Sequence, residues 1–135
     1  MIFSLSTLPR GARGVAAALL GSGTVHLTRP QVFEPFIPPA LRSHQRELIY
    51  VSGVAEIACA TGLLIPAVRR PAALASAALL VAVLPGNVQM AVDAHQRIQQ
   101  KGSTPKREAI RAAMIARVPL QIPLIKAVLR AAKPS

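Results

Sequence analysis

Residues 48–66 read LIYVSGVAEIACATGLLIP, an almost unbroken apolar run whose one charge, Glu56, falls near its middle. Such a run matches the ~20 apolar residues that a helix needs to cross the hydrocarbon core of a bilayer. Alternation of period two is absent, and alanine, leucine and glycine dominate, so the segment reads as a spanning helix. Pro66 ends it, and the pair Arg69–Arg70 follows. Beyond that pair, residues 71–92 read PAALASAALLVAVLPGNVQMAV and form a second run of spanning length, in which Pro85-Gly86-Asn87 predicts a kink with freed carbonyls.

Two further runs flank this pair. Residues 109–129, AIRAAMIARVPLQIPLIKAVL, are apolar apart from Arg111, Arg117, Gln121 and Lys126. Arg111 and Lys126 lie near the ends and can extend to the headgroups; Arg117 lies too deep to do so. Residues 9–27 supply a shorter span with small residues, after Arg10 and Arg13 in a pattern that also resembles a signal peptide. No Ala-x-Ala cleavage pattern follows, so the segment is expected to be kept. Residues 28–47 carry Pro30, Pro35, Pro38 and Pro39, which exclude a continuous helix and predict a loop at the membrane surface. Residues 93–108 are expected to form a second, basic loop. The expected architecture is therefore all-α, a single integral membrane domain over 1–135 built as a four-helix bundle, with spans at about 9–27, 48–66, 71–92 and 109–129.

The composition agrees. Hydrophobic residues make up 52% of the 135 and charged residues 16%, against roughly 25% in soluble domains; mean hydropathy is +0.43. The formal charge of +11 raises the question of nucleic-acid binding. Its basic residues, however, cluster between apolar runs, and aromatics for base stacking are scarce at 3%. That distribution fits loops facing anionic headgroups and excludes a nucleic-acid partner. The two membrane faces carry nearly equal numbers of Lys and Arg. The shorter segments on the N- and C-terminal face favour placing both termini in the cytoplasm. Cys59 is the single cysteine, which rules out an internal disulfide and reads as a small interface hydrophobe.

An ionisable residue in mid-membrane costs about 2.5–3.5 kcal/mol on insertion scales. Glu56 lies eight residues after Leu48 and Arg117 eight after Ala109, so both lie roughly 12 Å from the same face. Equal depth predicts a Glu56–Arg117 pair. Asn87, Gln121, Ser52 and His26 fall in the same leaflet, and together these six residues define the candidate polar cluster. No second His, Cys or carboxylate recurs at ligand spacing, so no metal site is expected. No Ser-His-Asp constellation or glycine-rich phosphate loop is present.

Several of these residues carry a resemblance. His26-Leu27-Thr28-Arg29-Pro30, Phe33-Glu34, Pro38-Pro39, Tyr50 to Glu56, Gly62 to Pro66 with Arg69-Arg70, Pro85-Gly86-Asn87-Val88-Gln89-Met90-Ala91 and Arg117-Val118-Pro119-Leu120-Gln121 together resemble the small DoxX-like membrane proteins. The resemblance implies a four-helix protein of the bacterial cytoplasmic membrane. It also implies an accessory, non-catalytic role in thiosulfate–quinone or oxidative-stress systems. Expected partners are membrane lipids, subunits of a membrane redox complex and further copies of the chain. A quinone or lipid-like molecule is the expected occupant of the polar cluster. Two other readings stay open: a structural or assembly protein whose polar cluster only sets helix packing, and a small-solute carrier.

Overall fold

The computed structural model describes residues 2–134, and these are all-helical, without a strand. Five α-helices occur among them: α1 (Arg10–Thr28), α2 (Gln45–Leu64), α3 (Arg69–Ala82), α4 (Leu84–Lys101) and α5 (Pro105–Arg130). Five helices thus stand where four spans were expected, because the third apolar run divides. Pro85 has no N–H to give to the Val81 carbonyl, and α3 stops at Ala82 before α4 starts at Leu84. Residues 93–101, expected to lie in a loop, instead continue α4 until Gly102 closes it at φ 84°. Thr104 then caps α5 by accepting the Arg107 N–H at 3.1 Å, with Pro105 in the first helical position. Pro119 and Pro123 do not interrupt α5.

The proline-rich residues 30–44 fold into three short 3-10 turns, Pro30–Val32, Glu34–Phe36 and Pro39–His44. Contacts run from α1 to α2, from α2 to α3, from α3 to α5 and from α5 back to α1. Helix α4 extends beyond this ring as an antiparallel hairpin with α5, and the Glu34–Phe36 turn lies against it. Three helical stretches are long and apolar enough to cross a membrane: Pro39–Leu64, Pro66–Lys101 and Pro105–Arg130. The α1 segment is not one of them. The most apolar window of α5 is only 11% buried, so most of its apolar surface faces outward.

The two ends of the molecule differ. At the end holding the α2–α3 turn, small residues pack a closed core: Ala12, Val15 and Ala16 of α1, Cys59, Ala60 and Leu63 of α2, Ala73 and Ala77 of α3, and Val128 of α5. Leu8, ahead of α1, is buried there too. The segment before α1 is held by arginines expected to serve headgroups. Arg69 donates to Leu63 O (2.8 Å), Ser4 O (3.0 Å) and Thr7 Oγ1 (3.0 Å), and Arg13 to Leu8 O (2.8 Å) and Ser6 O (3.1 Å). At the opposite end a cavity lies among the helices.

Candidate functional site

The geometry at the open end begins with two glycines. Where α1 crosses α2, a Cβ added to Gly23 would stand 2.8 Å from the Gly53 carbonyl, and one added to Gly53 would stand 2.7 Å from His26 Cβ. With no side chain at either position, the two backbones approach closely, as small residues permit at helix interfaces in membranes. His26 is thereby laid against Glu56, one turn beyond Gly53.

His26 Nδ1 lies 2.7 Å from the Ser22 carbonyl, which can only accept, so Nδ1 carries a hydrogen and gives it to that oxygen. The same nitrogen stands 3.0 Å from Glu56 Oε2. Because the N–H is committed to Ser22, this approach is a close contact and not an aligned hydrogen bond, and Oε2 keeps unused accepting capacity. The Ser22 hydroxyl donates to Glu56 Oε1 at 3.1 Å. Phe33, from the proline-rich segment, stacks on the His26 ring with centroids 3.8 Å apart and planes 8° from parallel. Arg46 forms an ion pair with Glu34 and so ties that segment to α2.

Beside this group lies a cavity of about 450 Å³, walled by α1, α2, both sides of the α3–α4 break and α5. Its lining is mainly apolar, including Leu19, Ile49, Leu80, Leu120 and Leu124, and it contains all six candidate polar residues. Glu56, Asn87, Gln121 and His26 are buried. Three side-chain atoms of the lining are buried without a hydrogen-bond partner among the described residues: Ser52 Oγ, Glu56 Oε2 and Gln121 Oε1. An unsatisfied buried polar atom costs about 1–3 kcal/mol, and three facing one cavity mark it as a polar-tipped pocket.

The expected Glu56–Arg117 pair does not form. Arg117 is exposed, and its Nη1 makes its contact with Met90 Sδ at 3.8 Å on α4. Equal depth left its direction around the helix open, and Glu56 is matched by His26 and Ser22 instead. Arg117 still lines the cavity. Two members of the site were missed by sequence reasoning. Ser22 stands four residues before His26, on the same helix face, and could have been found from that spacing. Phe33 offered no comparable signal, because its place depends on how residues 30–44 fold back. No group of three or more His, Cys, Asp or Glu able to hold a metal occurs among the described residues.

No curated protein and no solved structure matches the chain. A family match covers residues 15–132, which include all five helices in whole or in large part and every residue of the site. The chain belongs to that family, DUF8561, described as a domain of unknown function.

Proposed function

We propose that this is an integral membrane protein whose cavity binds an amphiphile, a quinone- or lipid-like molecule, and that it serves as an accessory subunit of a membrane redox system. In this reading α3 and α4 act as one broken rod, and with α1, α2 and α5 they make a four-rod bundle. One observation carries the ligand: an apolar cavity of about 450 Å³ lined, among the described residues, by three buried side-chain atoms without a partner, on Ser52, Glu56 and Gln121. That volume lies within the range of small-molecule sites, and the ratio of apolar wall to a few polar points is typical of them. Outward-facing apolar residues on the spanning helices, such as Val51, Val54, Val81 and Ile122, suit a lipid surround.

The polar points fit the headgroup of a quinone or its reduced form. Glu56 Oε2 and Gln121 Oε1 are acceptors and suit a donor such as a quinol hydroxyl, while the Ser52 hydroxyl can donate to a carbonyl oxygen. A bound quinone would supply two-electron redox chemistry that the side chains lack. The redox role and the kinship to DoxX-like proteins rest on the motif resemblance alone. A second reading, in which the cluster only sets helix packing, is favoured by the Gly23–Gly53 crossing that fixes His26 on Glu56.

The test is mass spectrometry of quinones and lipids retained by the gently solubilised protein, comparing the parent with Ser52→Val and Gln121→Leu. The binding reading expects a retained amphiphile that both variants lose. Retention of none by the parent would leave the packing reading in its place.

A further inference from the structure

A second concavity lies outside the site just described. Helices α4 and α5, joined by the short turn after Lys101, enclose a groove of about 550 Å³. Along α4 it is lined by Met90, Asp93, Arg97 and Lys101, whose spacings of three and four place them on one helix face. Along α5, Lys106, Ile110 and Met114 repeat at intervals of four. The polarity is graded along both helices. Near the turn stand Lys101, Lys106 and Arg107, with Arg97 one turn further in. At the inner end stand Met90, Met114 and Phe36, roughly 16 Å from the turn when counted along α4, with Ile110 about halfway. The one carboxylate in the lining, Asp93, already accepts from Gln89 Nε2 at 2.8 Å. Four cations thus face one anion. Arg107 also holds the turn by donating to Lys101 O and Gly102 O.

We infer that this groove binds a single anionic phospholipid, with its phosphate among Lys101, Lys106, Arg97 and Arg107 and an acyl chain along Ile110, Met114 and Met90. Charge complementarity selects an anion, and the apolar inner half selects one that carries a hydrocarbon chain over free phosphate. The groove opens at the end of two stretches long and apolar enough to cross a membrane, Pro66–Lys101 and Pro105–Arg130, which is where headgroups would lie. This assignment rests on the membrane reading given above and is independent of the inner cavity.

The test is native mass spectrometry of the full chain in detergent, with dioctanoyl phosphatidylglycerol, dioctanoyl phosphatidylcholine and inorganic phosphate as probes. Retention of the anionic lipid should exceed that of the zwitterionic one on the order of tenfold, as two near-surface lysines would provide. In the Lys101→Gln/Lys106→Gln variant, at unchanged unfolding temperature, the ratio should fall severalfold, with Arg97 and Arg107 still in place. Should that variant misfold, Lys106→Met alone, which keeps the apolar stem, should lower the ratio severalfold. Millimolar inorganic phosphate should leave the lipid bound. Equal retention of the two lipids, an unaltered ratio in the variants, or displacement by phosphate would each overturn the assignment. A chain that stays dispersed in water without detergent would overturn the membrane reading itself, which a missing lipid preference alone does not do.

Discussion

Replacing Gly53 with alanine tests the construction of the site at its tightest point. The new Cβ would meet His26 Cβ at 2.7 Å, the Gly23 carbonyl at 3.1 Å and Leu27 Cγ at 3.2 Å. Carbon atoms pack at about 3.5–4.0 Å, so α1 must retreat by about 1 Å. Such overpacking costs about 1–3 kcal/mol, while alanine in place of glycine in a helix returns up to about 1 kcal/mol. The net expectation is a destabilisation of up to about 3 kcal/mol. The same retreat would lengthen the 3.0 Å approach of His26 Nδ1 to Glu56 Oε2 to about 4 Å, the limit of an ion pair. Gly14→Ala and Gly21→Ala provide the controls, since nothing lies within 4 Å of either added Cβ. These two should be neutral or stabilising by up to about 1 kcal/mol. Denaturant titration of the purified protein in mild micelles, followed by circular dichroism, measures all three. If Gly53→Ala proves as stable as the controls, the close crossing of α1 and α2 is wrong, and with it the placement of His26.

Three other outcomes follow from the contacts. In double-mutant cycles of unfolding stability, His26→Gln and Glu56→Gln should couple by about 0.5–3 kcal/mol, while Glu56→Gln and Arg117→Met should add within about 0.5 kcal/mol. A Glu56–Arg117 coupling as large as that of His26 would restore the pairing expected from depth. Arg69→Gln removes donors to Leu63, Ser4 and Thr7, so limited proteolysis should cut before residue 9 several times faster, at a stability cost of about 1–3 kcal/mol. Unchanged cleavage would show that Leu8 burial and the Arg13 bonds hold the segment without Arg69. Gln121→Leu should leave the ligand-free protein as stable or slightly stabler in thermal unfolding, because it removes an unpartnered buried oxygen at similar volume. A loss above about 2 kcal/mol would mean that Gln121 has a structural partner.

Legibility in the sequence followed the kind of information each feature needs. Helix positions were readable because they depend on local composition and punctuation: the 48–66 run became α2 (Gln45–Leu64), and the 109–129 run became α5 (Pro105–Arg130). The length of α4 was not, since DAHQRIQQK is polar yet favourable to helix, and only its packing on α5 carries it to Gly102. Burial of Glu56, Asn87, Gln121 and His26 followed from depth, a coordinate that counting residues supplies. The partner of Glu56 did not follow, because pairing also requires direction around the helix axis. Gln121 is buried and Arg117 exposed although they stand one turn apart on α5, which leaves the bundle between them.

The division of the molecule into a closed end and an open end explains why its polar residues stand where they do. Alanine-rich faces, tightened by Gly62 against Ala72 and Gly11 against Ala127, hold the helices together at the closed end. That end needs no charge pair for cohesion. Residues on both sides of the break at Pro85 line the cavity, and the 30–44 segment lies across it, with Phe36 O 3.9 Å from a Cβ built on Gly86. If packing alone were the purpose, leucine at 52 and 121 would fill the space without unsatisfied oxygens and at no cost. The presence of Ser52 and Gln121 there, on a cavity already bounded by apolar walls, is what favours the proposed binding reading over a polar clasp. Phe36 and Met90 line both the cavity and the α4–α5 groove, so the two concavities meet at that wall. A hydrocarbon chain in the groove would therefore end against Met90 and Phe36, at the wall shared with the cavity.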